Sequence, residues 1–356
     1  MLQFVIRRII WTIPVLFLVT FFTFALVRAI PGGPFDFAGD KSLPPTVVKN
    51  LEAKYHLNDP LWQQFCSYLI GDTVCRPGQE QNGVPSKGIL LGDLGPSFRY
   101  RGRTVNDIIS TALPISAQLG FMAVMLGMLI GIPAGIIAAL KHNTPIDYTA
   151  TFVAVLGVSI SNVVLGPFLI WIFALKLGLF PVATWAAEPL FSNIAEKYVA
   201  AGEPIPMWVN LIPKPTVDFF MHAVLPVVTL GTALSASLAR LTRGSLLQVI
   251  REDYIRTARA KGLRERAVII THALKNSMIP VVTILGPMFA GVLTGTFVVE
   301  QIFAIPGLGR HFVTSVGNRD YPVVLGTTLV YAVAIVIANM FVDITYAWLD
   351  PRVRLE

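Results

Sequence analysis

Of the chain's 356 residues, 54% are hydrophobic and only 14% are charged, against about 25% charged in an average soluble domain. The formal net charge is +7, but the basic residues lie in short segments between apolar runs and have no domain of their own. That argues against nucleic acid as a partner and points to a membrane protein whose charge marks its topology.

Six runs contain no Lys, Arg, Asp or Glu: residues 9–27, 113–140, 148–175, 219–239, 276–299 and 321–342. Each reaches the roughly 18–20 residues a helix needs to cross a hydrocarbon core. Backbone groups in lipid must be satisfied internally, and runs this long point to helices rather than barrel strands. The expected fold is an all-α membrane protein with six transmembrane helices. Residues 1–30 form the first, 31–112 an external helical and loop subdomain, and 113–356 a core with five spans and a cytoplasmic loop at 240–278.

Arg7 and Arg8 precede the first span and set the N-terminus in the cytoplasm. The apolar run after them is too long for a signal peptide, and Ala25-Leu26-Val27-Arg28-Ala29 is a poor cleavage site. Successive crossings then place 28–112 outside, 141–147 inside, 176–218 outside, 240–275 inside, 300–320 outside and the C-terminus inside. Lys141, Arg352 and Arg354 fall on the inner side, as this topology requires.

In the first outer segment, Pro44 and Pro45 lead into an expected amphipathic helix over 46–57, with Val47, Leu51 and Tyr55 on one face. A second helix is expected over 61–69, after the turn Asn58-Asp59-Pro60. Residues 71–95, rich in Gly and Pro, read as loop. The only two cysteines, Cys66 and Cys75, fall on this side, where disulfides are permitted. A bridge between them is worth roughly 2–3 kcal/mol; two free thiols are the alternative. No metal site is expected, since His56 is a lone extra ligand.

Further along, Ser159, Ser161 and Asn162 fall mid-way along the third span, and Thr294 and Thr296 in the fifth. Polar groups at that depth face a partner helix or a cavity. Interhelical hydrogen bonds and contact with a transported substrate both fit them.

The inner loop is the most informative stretch. Between Arg240 and Lys275 stand nine Lys or Arg against three Asp or Glu. Asp253 can cap a helix over 254–261, and Gly262 fits the position that ends it. Arg259 and Lys261 lie in its last turn, where the helix dipole favours cations. This helix is about 12 Å long. Ala258, Ala260 and Gly262 leave little bulk near its end, so another surface can approach. A second helix is expected over 264–276, with Pro280 near the start of the fifth span. On composition alone the loop also reads as a topology determinant with snorkelling arginines.

The run Asp253-Tyr254-Ile255-Arg256-Thr257-Ala258-Arg259-Ala260-Lys261-Gly262, with Pro280 eighteen residues beyond Gly262, resembles the EAA loop of ABC-importer permeases, in the dipeptide/oligopeptide branch. Other matches follow the family's order. They include Arg7-Arg8 with Pro14, Pro31-Gly32-Gly33-Pro34 and Leu91-Gly92-Asp93-Leu94-Gly95. Leu225-Pro226 with Arg240-Leu241-Thr242-Arg243, then Glu300-Gln301-Ile302-Phe303-Ala304-Ile305-Pro306-Gly307-Leu308-Gly309, continue the series. Arg319-Asp320-Tyr321-Pro322 and Leu349-Asp350-Pro351-Arg352 complete it. The chain departs from the pattern in three ways. Gly33 stands for the usual Asp, Arg256 stands at the EAA glutamate position, and 73–89 and 181–222 look longer than the family's segments.

The resemblance implies the type I ABC-importer permease fold and a pore-forming, non-catalytic subunit in the cytoplasmic (inner) membrane of a prokaryote. Its implied partners are a second, homologous permease (making a heterodimer), two ABC ATPase subunits and an extracytoplasmic substrate-binding protein. ATP and Mg would be bound by the ATPase subunits, with no cofactor in this chain. The helix over 254–261 would be the coupling helix, and peptides the cargo, with nickel chelates and glutathione as alternatives. The chain lacks the phosphate-binding GxxxxGK[ST] pattern. An ion-coupled carrier would need ionisable groups deep in the membrane, and the six runs hold no Asp, Glu, Lys or Arg. His222 is the only histidine inside a run, which leaves an intramembrane protease without its catalytic pairing.

Overall fold

Two long helices lying side by side set the frame. In the computed structural model, which describes residues 2–35, 44–76, 86–100, 102–202, 205–295 and 297–349, α5 (Val105–Leu140) packs along α10 (Val217–Val249). Gly127, Gly131 and Gly135 recur every four residues on α5 and so share one face. A Cβ at Gly131 would lie 2.4 Å from Ser235 O, and one at Gly135 would lie 2.5 Å from Ala239 O. Positions rise together along both helices, from Gly127 beside Leu234 to Gly135 beside Thr242, so the pair is parallel. Small residues let the backbones approach, which in lipid supplies the packing that water would otherwise drive.

Because α5 and α10 run the same way, the chain between them must cross once in the opposite direction. It does so through α6 (Pro145–Ser159) and α7 (Asn162–Leu169), which continues as a π-helical stretch over Ile170–Lys176. α6 runs antiparallel to α10, with Asp147 beside Arg243 and Gly157 against Ala236 and Thr232. The expected third span is therefore not one straight helix: its two halves meet at 100°. Ser159 Oγ donates back to Val155 O at 2.7 Å, a bond that competes with the backbone ladder. Ile160 is extended, and Ser161 accepts from Val163 N at 3.4 Å as the cap of the next helix.

α1 (Leu2–Ala29) and α16 (Tyr321–Leu349) are antiparallel. Arg8 pairs with Asp343 at one end, and Arg28 lies 5.3 Å over the Tyr321 ring at the other. The start of α1 and the end of α16 thus share a face, which requires an even number of crossings. Five long apolar helices and the bent pair taken as one span make six. α13 (Lys275–Gly295) runs against α16, where a Cβ on Gly286 would meet Ala338 O at 2.9 Å.

On that shared face lies α11 (Asp253–Ala260), followed by α12 (Glu265–Ala267). α12 does not end at Asn276 as expected. It runs through a π-helical turn, Val268–Leu274, into α13, so that Pro280 lies inside a helix. Ser245 Oγ donates to Ser277 O at 2.7 Å, beside the gap that Pro280 leaves in the ladder.

The opposite face carries α2 (Pro45–Lys54), α3 (Leu61–Ile70) and α4 (Asp72–Cys75). α2 stops short of the expected end, with Tyr55 as its cap, and buries no residue. α3 lies against the C-terminal half of α1, its Phe65 ring 5.2–5.9 Å from Phe17, Phe21 and Phe24. The expected loop over 71–95 contains α4 and a 3₁₀ turn at Ile89–Leu91, and a disulfide joins Cys66 to Cys75 with Cα atoms 5.8 Å apart. α8 (Ser192–Ala200) and α9 (Met207–Leu211) follow the bent span, and α14 (Phe297–Ile302) and α15 (Leu308–Asn318) precede α16.

Replacing Gly135 by Leu forces α5 and α10 apart and is expected to cost about 1–3 kcal/mol or more. A lowered thermal midpoint of the detergent-purified protein is the readout; an unchanged midpoint would contradict this packing.

Candidate functional site

The short helix α11 has two faces. Ile255 is fully buried and Ala258 nearly so, in a cluster with Ala139 of α5, Leu246 of α10, and Val268 and Ala273 of the π turn. One short helix is thereby packed against the ends of α5 and α10 and against the π-helical turn that leads into α13. Asn276 Nδ2 donates to Tyr254 Oη at 2.8 Å. Arg259 donates to Glu265 at 2.7 Å across the turn, and this bond raises the Arg259 pKa above its ordinary value.

The helix starts one residue earlier than its sequence suggests. Glu252 holds the cap position without a side-chain bond, and Asp253 is the first helical residue, its side chain almost fully exposed. There it complements the helix dipole instead of capping. The end is as expected: Lys261 is the last cap position and Gly262 adopts φ +75°, a left-handed conformation suited to glycine. Gly262 N donates to Arg259 O at 2.9 Å.

Ala258 does not serve the outward approach expected of it, because it faces the protein's own interior. The outward side consists of Asp253, Tyr254, Arg256, Thr257, Arg259, Ala260, Lys261 and Gly262. Beside the start of α11 is an open groove of about 560 Å³, lined by His142, Gln248, Arg251, Glu252 and Asp253 among others.

Ser159, Ser161 and Asn162 come together at the break between α6 and α7, the two serines exposed and Asn162 half-buried. Thr294 lies in the last turn of α13, and Thr296 falls outside the described residues. The terminal match at Asp350-Pro351-Arg352 also falls outside them. Among the described residues no three His, Cys, Asp or Glu are grouped to hold a metal ion.

Three buried carboxylates escaped the sequence reading, and each organises a motif. Glu300, fully buried, accepts from Ser116 Oγ at 2.6 Å and from Arg310 N at 2.8 Å. A Cβ on Gly307 would fall 2.3 Å from its carboxylate carbon, which explains a glycine there. Asp320 takes the Ser97 hydroxyl, and Phe98 N at 3.1 Å. Asp147 receives Arg243 Nη2 at 2.8 Å and lies 3.0 Å from His142 Nδ1, stapling α6 to α10. All three carboxylates are engaged by fixed donors, an arrangement suited to holding helices rather than relaying protons.

Two family models cover nearly the whole chain: binding-protein-dependent transport system inner membrane component over residues 131–355, and the N-terminal part of such components over residues 1–120. The chain belongs to this family of transport permeases.

The permease is 40% identical over 354 residues to the oligopeptide transport system permease protein OppB of Salmonella typhimurium, covering 99% of this chain and all of the relative. It is also 40% identical over 356 residues to the dipeptide transport system permease protein DppB of Bacillus subtilis, covering 100% of this chain and 99% of the relative. Among solved structures, the permease resembles an amino acid ABC transporter at 16% identity and the MetNI methionine ABC transporter at 14%. Their TM-scores are 0.46 and 0.48, over 68% and 67% of this chain and 94% of each of theirs.

Trimming Ile255 to Ala should cost about 2–5 kcal/mol of local packing. Amides over 253–262 of the permease would then exchange faster with deuterium while those of α5 and α10 keep their protection. Equal exchange in the two proteins would mean that Ile255 does not hold α11 in place.

Proposed function

We propose that this permease is one pore-forming half of an ATP-driven importer that takes up di- or oligopeptides by alternating access. The observation that carries the reading is α11, clamped on one face by Ile255 and Ala258 and open on the other. An ATPase subunit docked on the open face would move α11 as a rigid body, and the buried cluster would pass that motion to α5, α10 and α13. Interfaces and packed cores are bistable rather than continuously deformable, so closure of the ATPase pair would switch the bundle between two packings. Two ATPase subunits carrying ATP and Mg, a second permease and an external binding protein would complete the assembly. Arg7 and Arg8 support placing the face that carries α11 and both helix ends in the cytoplasm.

Peptide cargo is supported by the names of the full-length relatives, an oligopeptide and a dipeptide permease. Substrate choice would rest mainly with the binding protein. The test is uptake of a labelled dipeptide and a longer peptide, beside nickel chelate and glutathione, by the reconstituted complex. ATP-dependent accumulation of a peptide supports the proposal; accumulation of only the chelate or glutathione would replace the cargo, and ion-driven uptake by this chain alone would sink the whole reading.

On the coupling face, Gly262→Val imposes a β-branched residue at positive φ, and Ala260→Trp adds bulk to an exposed position. Both variants should reach the membrane yet lose most substrate-stimulated ATP hydrolysis. Wild-type stimulation in both would count against the interface.

Ser161→Cys tests the path. A water-soluble thiol reagent should label it in at least one nucleotide state of the complex; protection in every state would remove Ser161 from the path.

A further inference from the structure

A second site lies on the opposite face, away from α11. Between the outer end of α1, the helix α3 and the start of α16 is a cavity of about 100 Å³, room for several waters or the head of a small ligand. Its wall includes Arg28, Gln64, Ser67, Tyr68 and Arg76. Each has a buried polar atom without a hydrogen-bond partner: Arg28 Nε, Gln64 Oε1, Ser67 Oγ, Tyr68 Oη and Arg76 Nε. Gln64 and Ser67 are 7% and 5% exposed, and the Arg76 side chain 7%. Buried groups of this kind are normally satisfied, so five unpartnered atoms around one cavity ask for an occupant.

The inventory of these atoms says what kind. Both arginine nitrogens can only donate, and Ser67 and Tyr68 each bring a hydroxyl proton. Burial pushes the Tyr68 hydroxyl well above its ordinary range, which keeps that proton in place. Of the five unpartnered atoms Gln64 Oε1 is the single pure acceptor, because Gln64 Nε2 is used on Leu57 O and Asp59 O at 2.9 and 2.7 Å; the Asp72 carboxylate, also in the wall, is already occupied by Arg76 Nη1 and Ser86 N, each at 2.7 Å.

Charge points the same way. Arg76 is neutralised by Asp59 and Asp72 at 2.8 and 2.7 Å. Arg28 has no carboxylate partner among the described residues; it lies 5.1 and 5.3 Å from the Phe24 and Tyr321 rings. Those rings fix the guanidinium beside the cavity without discharging it.

We propose that this cavity binds one oxyanion group, a phosphate or carboxylate, with Arg28 as the charged donor and Ser67 and Tyr68 as neutral ones. The same chemistry is offered by the phosphate of an anionic lipid headgroup and by a free anion. Filling the site ties α1, α3 and α16 together at the outer surface.

The experiment follows the thermal midpoint of the permease complex in phosphatidylcholine nanodiscs. One arm titrates inorganic phosphate; the other replaces part of the lipid with phosphatidylglycerol in phosphate-free buffer. A saturable rise in the first arm assigns a free anion, and in the second a lipid headgroup; either supports the site. Arg28→Gln should weaken the response by roughly ten- to a hundredfold, the range for a hydrogen bond to a charged group. Ser67→Ala, which keeps the charge and the ring contacts, should weaken it severalfold and remains informative if Arg28→Gln fails to fold. No rise with either probe, or wild-type responses from both variants, would overturn the proposal.

Discussion

The parallel contact between α5 and α10 is the constraint from which the rest follows. Two neighbouring helices of one chain that run the same way demand a return crossing between them, and only residues 141–216 are available to make it. Where Ser235 O and Ala239 O would meet any added Cβ on α5, no third helix can enter the seam. The returning segment therefore lies on the outside of the pair, stapled by Asp147 to Arg243. The C-terminal ends of α5 and α10 are left side by side, and α11 seats there through Ile255 and Ala258. A helix two turns long has little stability of its own in water; here it gains order by sharing a core with the ends of much longer helices.

Much of this was legible in the residues. Five of the six apolar runs correspond to long helices because length and absence of charge are sufficient for a span. The glycine that ends α11 was readable because a left-handed residue is needed there. The break in the third span was not, because its composition is apolar on both sides of residue 160, and Ser161 is a capping residue only if the chain has already turned. Ala258 was misjudged for a related reason: smallness marks a close approach but not which body approaches. The carboxylates of Asp147, Glu300 and Asp320 were missed because their donors lie far away in the sequence, as with Ser116 for Glu300 and Ser97 for Asp320.

The two faces of the molecule are built by different means. On the α11 face, order comes from the apolar cluster around Ile255 together with the Asp147–Arg243 staple and the Asn276–Tyr254 bond. On the other, polar brackets add to the packing: Glu300 holding the start of α15, Asp320 holding the turn at Ser97, and Gln118 donating to Asn210 O at 2.7 Å while accepting from Trp185.

The break at Ser161 carries a cost that identifies its surroundings. Ending one helix and starting another within two residues strips hydrogen-bond partners from amides and carbonyls on both sides, and Ser161 answers for only one of them. Hydrocarbon cannot supply the others, so irregular backbone in a span persists only against protein or water. The kink is thus a wetness gauge: its height along the third span marks a level at which this molecule does not meet lipid tails.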